Sequence, residues 1–211
     1  MGGSGLKIVI FDCDGVLFDS QGANAAYYGR LVQAMGRGPL TPEEEAYVHV
    51  GTVFESVAHL FRHQPELIEE AHQIRERIGY TPFIGLMKPE PGVYDCLKDL
   101  AGRYSLAVLT NRSTTIGLVL QTHCMARYFQ TVVSCLDVTK PKPDPEGAHK
   151  ILAATGSLPR QAVYIGDAAG DAETAQRAGI HFIAYKNPLL PAGALIDHFD
   201  QLNGALRGLN G

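Results

Sequence analysis

The 211-residue chain has no run of basic residues, no apolar stretch long enough to span a membrane, no C-x-x-C pair and no internal repeat. Each absence removes a class of function. Nucleic-acid binders carry a basic patch, whereas here the formal net charge is -4 and no Lys/Arg block occurs. A spanning helix needs roughly 20 apolar residues. Asp12, Asp14 and Asp19 break the apolar runs near the N-terminus, so neither a membrane span nor a secretory h-region is expected. The cysteines, Cys13, Cys96, Cys124 and Cys135, are scattered. That fits a reducing cytoplasm better than a disulfide framework. What remains is an ordinary folded composition, 45% hydrophobic and 19% charged. The length suits one domain with an insertion, or two small ones.

After a lead-in at Met1–Gly5, the run LKIVIF to Phe11 is short, apolar and β-branched, as a buried parallel strand is. Similar runs end at Thr110, Ser134, Asp167 and Tyr185. Helical patterns lie between them, at 92–100, 114–123, 145–154 and 168–178. Alternation of this kind predicts an α/β fold, a doubly wound parallel sheet with right-handed crossovers. One stretch interrupts it. Residues 20–85 contain no good strand, only helical patterns at 23–35, 43–50, 53–61 and 65–78. The expected organisation is therefore a Rossmann-like core of residues 1–19 and 86–211, with a helical cap of residues 20–85 inserted after the first strand. Residues 194–209 read as one weak C-terminal helix.

In open α/β sheets, ligands bind beyond the carboxyl ends of the strands. Those ends carry Asp12 and Asp14, then Thr110 and Asn111, then Lys140 and Lys142 in a Pro-rich loop, then Asp167 and Asp171. Acids, a hydroxyl, an amide and an ammonium are the parts that phosphoryl transfer needs. Asp12 and Asp14, two apart, point the same way, and Cys13 points the other. Asp171 lies one helical turn beyond Asp167, on the same face. Converging carboxylates repel unless a cation joins them, and oxygen donors suit Mg²⁺. One Asp after a strand is commonly just a cap or turn residue. D-x-D-G and G-D-x-x-x-D in order, each at a strand end, should coincide by chance in about one chain in a thousand or fewer.

FDCDGVLFDS, VLTN, KPKPDP and GDAAGD, in that order, resemble the four motifs of the haloacid dehalogenase-like hydrolase superfamily. The helical insertion is similar to that of its small-cap subgroup, which includes phosphoglycolate phosphatases and β-phosphoglucomutases. The resemblance implies that Asp12 attacks phosphorus and becomes an aspartyl phosphate. It implies that Asp14 protonates the leaving alcohol and later deprotonates water. Thr110 and Lys142, with Asn111 beside them, would hold phosphate oxygens. Mg²⁺ would be bound by Asp12, the Asp14 carbonyl and Asp167, with Asp171 direct or through water. Lys140 and Lys142 both fit the family's lysine pattern; Lys142 is preferred because a helix begins right after Pro145. Ala168 stands where the family often has Ser or Thr, which removes one hydrogen bond near the metal.

The expected activity is hydrolysis of a small phosphorylated metabolite, phosphoglycolate being the best single choice, with no nucleic-acid or membrane partner. Asp14 argues against a dehalogenase, where halide departure needs no proton. The absence of lysine between Lys7 and Lys88 argues against a Schiff-base mechanism from the cap. A phosphomutase is the runner-up, but its characteristic His is replaced by Asn24. A phospho-accepting receiver module would not place D-x-D on the first strand. His59 and His63 have metal-ligand spacing but no third ligand, and read as a helix face. Tyr27 and Tyr28 read as packing, Arg112 as a surface ion pair ahead of a bidentate contact to a substrate carboxylate, Cys13 as an inert buried thiol, and Thr52 with Glu55 as candidates for the active-site mouth.

Overall fold

The computed structural model describes residues 5–209, so most of the lead-in expected at Met1–Gly5 lies outside the described residues. The chain divides into two compact units, Met1–Phe18 with Pro89–Gly211, and Asp19–Lys88. The first contains strands β1 (Ile8–Phe11), β4 (Ser105–Leu109), β5 (Thr131–Val133), β6 (Ala162–Gly166), β7 (His181–Tyr185) and β8 (Ala194–Ile196). The chain crosses between units at two short strands, β2 (Phe18–Asp19) and β3 (Lys88–Pro89), which pair with each other.

The large sheet runs β5-β4-β1-β6-β7-β8, and each of its pairings is parallel. β1 and β6 are buried at every position, as strands covered on both faces must be. The covering helices are α5 (Val93–Ala101), α6 (Ile116–Thr122), α7 (Glu146–Thr155), α8 (Ala169–Ala178) and α9 (Leu202–Leu209). On one side, Ile8, Ile10, Ala107, Tyr164 and Phe182 of the strands pack with Ile151 and Ala175 of α7 and α8 in one core cluster. Chain order reverses around β1: β4 and β5 lie on one side of it, β6 to β8 on the other. Ligands of open α/β sheets bind outside the carboxyl ends of the strands at such a switch point.

The second unit holds α1 (Gln21–Ala34), α2 (Pro42–Val50), α3 (Val53–Leu60) and α4 (Ile68–Ile78). Thr41 and Glu44 form a capping box that starts α2, with Pro42 at the first helical position; Thr52 and Glu55 do the same for α3. Its core is Tyr27, Tyr28, Leu31, Val57 and Phe61, and the Tyr27 ring meets Tyr28 and Tyr80 edge-on at 5.0 Å each. None of the described helices is long and apolar enough to cross a membrane.

Two expectations change. Residues 194–196 are not helix but strand β8, laid parallel on β7 with Tyr185 opposite Ile196; α9 starts only at Leu202. Ala194 and Leu195 are good helix formers, yet an open sheet edge offers a ladder that local propensity does not foresee. The predicted helix over 65–78 begins as a 3₁₀ turn, Pro65–Leu67, before α4.

Candidate active site

The chemistry-bearing residues sit where four strands end. β1 delivers Asp12, whose N–H still donates to Ile165 O of the neighbouring strand at 2.9 Å. The chain then turns sharply at Gly15, with φ +82°. A Cβ there would lie 2.0 Å from Asp167 Oδ2, so the glycine of D-x-D-G is required both by its dihedral and by the close approach of Asp167. Gly166, one residue before Asp167, is equally tight: a Cβ would meet the Asp171 Cβ at 2.3 Å. The two motifs are thus packed against each other.

Among the described residues, Asp12, Asp167 and Asp171 each offer an oxygen within 4.8 Å of the others. Lys142 Nζ joins them, 3.0 Å from Asp12 Oδ1 and 2.6 Å from Asp171 Oδ1. The lysine side chain is only 6% exposed. Three carboxylates against one ammonium leave an excess of two negative charges. Burial and that excess act together. Burial pushes the Asp12 carboxyl up to about 7 despite Lys142. Asp167 is pushed up to about 8 by burial, with Asp12 and Asp171 adding to it. Burial opposes the charge on Lys142, but Asp12 and Asp171 outweigh it and raise the ammonium above its ordinary range. The donors are hard oxygens, and the missing charge is that of one divalent cation, so the site fits such an ion.

Asp171 is almost fully engaged. Its Oδ2 accepts the backbone N–H of Asp167 (3.2 Å) and of Ala168 (3.1 Å). Its Oδ1 meets Lys142 and, at 2.7 Å, the Tyr164 hydroxyl. Asp171 therefore shapes the loop that carries Asp167. Asp12 accepts its neighbour Cys13's N–H at 2.7 Å, and this contact and Lys142 both fall on Oδ1.

Thr110 is buried and follows β4. Its hydroxyl accepts the Arg112 N–H at 3.0 Å, which leaves the hydroxyl proton to be donated elsewhere. Asn111 Nδ2 donates to Lys142 O at 3.3 Å and ties the second motif to the third; its buried Oδ1 has no hydrogen-bond partner among the described residues. Asp14 is not one of the three converging carboxylates. Arg112 grips it through Nε at 3.0 Å and Nη2 at 2.5 Å.

The structure also places the other residues singled out in the sequence. Arg112 is not a surface ion pair: its side chain is 6% exposed and its partner is Asp14. The signal for it was present, since Arg112 follows Thr110-Asn111 at the same strand end. Lys140 is exposed, and its backbone N–H donates to Glu146, while Lys142 enters the cluster. Tyr164 was read only as a strand residue. Its hydroxyl touches Lys142 Nζ (2.9 Å), Leu109 O (3.0 Å) and Asp171, and a fully buried Tyr needs such partners for its polar end. Asn187, also missed, donates to Asp167 O at 2.8 Å from the loop after β7. Cys13 is buried, and burial pushes its thiol well up. In the helical unit, His59 stacks on Tyr47 at 3.7 Å and His63 is exposed. Thr52 and Glu55 are engaged with each other. Asn24 accepts the Tyr80 hydroxyl at 2.6 Å and lies 3.4 Å from His49 Nδ1.

Comparison with known proteins agrees with these motifs. The profile of the haloacid dehalogenase-like hydrolase family matches residues 9–185. A crystal structure of a HAD-superfamily hydrolase, subfamily IA, variant 1, from Geobacter sulfurreducens is 40% identical, with TM-score 0.81 over 97% of this chain and 98% of that one. A phosphoglycolate phosphatase of Pseudomonas savastanoi is 27% identical over 84% of this chain and 68% of its own. The pyrophosphatase PpaX of Bacillus pumilus is 26% identical over 85% and 82%.

Proposed function

The chain belongs to the haloacid dehalogenase-like hydrolase family, and we propose that it is a Mg²⁺-dependent phosphatase of small phosphorylated metabolites, phosphoglycolate first among them. The observation that carries this reading is the Lys142 ammonium lodged between Asp12 and Asp171 in a carboxylate cluster two charges short of balance. Such a site is built to receive a cation and an anionic phosphoryl group together. Relatives named for phosphoglycolate and pyrophosphate support the substrate class.

Asp12 and Asp167, with Asp171 beside them, would hold the metal, which would offset phosphoryl charge. Lys142 and the Thr110 hydroxyl hold non-bridging oxygens of the phosphoryl group. Lys142 and the Cys13 N–H hold Asp12 through Oδ1, and Oδ2 is the oxygen assigned to attack phosphorus. As the Asp12–phosphorus bond forms, the bond to the ester oxygen breaks and Asp14 supplies that oxygen's proton. Water then attacks phosphorus, its proton passes to Asp14, and Asp12 is released as a carboxylate.

The test is phosphate release from a panel of phosphorylated metabolites with Mg²⁺, including phosphoglycolate, inorganic pyrophosphate and β-glucose 1-phosphate. Hydrolysis of a small phosphomonoester, absent in Asp12→Asn and in excess EDTA, is the expected result. Conversion of β-glucose 1-phosphate to the 6-phosphate with little free phosphate would replace the hydrolase reading by a mutase.

A further inference from the structure

Arg112 and Asp14 come from neighbouring strands. β4 lies beside β1 with Val108 opposite Phe11, so the turns that follow both strands begin side by side. Arg112 is four residues past Val108, and Asp14 is three past Phe11. The turn holds the arginine at both ends. Its backbone N–H donates to Thr110 Oγ at 3.0 Å, and Nη1 donates to Thr115 Oγ at 3.3 Å. The remaining edge of the guanidinium, Nε and Nη2, faces the two oxygens of Asp14 at 3.0 and 2.5 Å. The side chains are 6% and 17% exposed.

A two-point grip of this kind fixes a carboxylate's plane as well as its position. An ammonium, a point charge, would leave the carboxylate free to rotate.

We propose that Arg112 is the positioning residue of Asp14. It fixes the direction from which the carboxyl hands its proton to the leaving oxygen, and to which it returns to receive one from water. The inference rests on the acid–base role given to Asp14 above. It also assigns the Thr110–Thr115 turn two tasks: the hydroxyl at its start faces the phosphoryl group, and the guanidinium at its centre orients the acid.

A positioning role is visible in leaving-group dependence. An alkyl phosphate such as phosphoglycolate needs its leaving oxygen protonated; p-nitrophenyl phosphate scarcely does. General acid–base groups contribute about 10²–10⁴-fold. Arg112→Gln should therefore lower kcat/KM for phosphoglycolate by about 10- to 100-fold, and for p-nitrophenyl phosphate by only severalfold. Arg112→Lys, with one contact in place of two, should recover part of the loss. In an Asp14→Asn background, adding Arg112→Gln should change kcat/KM less than about twofold, since the two residues act as a unit. Thermal melting reports whether Arg112→Gln is folded; if it is not, the selective loss in Arg112→Lys decides.

Selective loss in Asp14→Asn with equal losses on both esters in the Arg112 variants would overturn the inference and leave Asp14's role standing. Equal losses on both esters in Asp14→Asn itself would remove the acid–base reading, and the inference with it. A loss confined to KM would make Arg112 a substrate contact, which also overturns it.

Discussion

Replacing Lys142 by Met removes the ammonium from a cluster of two buried carboxylates and one half-buried one while keeping most of the side chain's volume. At 3.0 Å from Asp12 and 2.6 Å from Asp171, each attraction is worth about 5–6 kcal/mol with an effective dielectric constant of 20. Desolvation of the lysine offsets much of this, and loss of one member of a buried pair typically costs about 3–5 kcal/mol. Against a total stability of about 5–15 kcal/mol, that is a large loss. The loss should depend on pH. Asp12 and Asp167 already bind protons more tightly when folded than the ordinary 3.8, at about 7 and about 8. Their folded pKa values are raised, so the folded state holds extra protons between about pH 4 and 8, and stability falls as pH rises through that window. Without Lys142 both carboxyls rise further. The deficit of Lys142→Met should thus be larger at pH 8 than at pH 5.5. The assay is urea unfolding at both pH values in EDTA, followed by circular dichroism. Lys140→Met, an exposed position, should stay within about 0.5 kcal/mol of wild type. If Lys142→Met unfolds like the wild type at pH 8 without metal, the electrostatic account of the cluster is wrong.

Four further outcomes follow from the same geometry. Metal-free wild type should melt at lower temperature at pH 8 than at pH 5.5. Mg²⁺ should raise the melting temperature more at pH 8, where the cluster is more ionised than at pH 5.5; an equal shift at both pH values contradicts the raised carboxyls. Gly15→Ala should abolish the Mg²⁺-induced shift, because its Cβ would occupy the place of Asp167 Oδ2; an unchanged shift in calorimetry would show that Asp167 is not required for the ion. Tyr164→Phe should cost about 1–3 kcal/mol in denaturant unfolding, as Lys142, Leu109 O and Asp171 lose a shared partner. A value near zero would mean that the hydroxyl is dispensable.

The motifs were legible because catalysis in an open sheet gathers at strand ends, and strand ends are visible as apolar runs that stop at polar residues. Asp12, Asp167 and Asp171 were found this way, and Lys142 was chosen over Lys140 from the helix start after Pro145. Tyr164 and Arg112 were underread for one reason: each looks ordinary in its local context. A Tyr in a β-rich apolar run passes for packing, and an Arg in a polar turn passes for surface. Only neighbours from other segments turn them into parts of the site. β8 escaped for the same reason, since three residues of edge strand are stabilised by β7 rather than by their own preference.

By itself, the sequence determined the parallel α/β core, the helical stretch inserted after its first strand, and which strand ends bear carboxylates. Periodicity and composition are local properties that any window of the chain exposes. Tertiary structure alone decided that Lys142 balances Asp12 and Asp171, that Gly15 must yield space to Asp167, and that Arg112 reaches back to Asp14. Those relations join residues up to 159 positions apart, from Asp12 to Asp171. Distances between such residues arise from strand order and burial, which no single segment encodes.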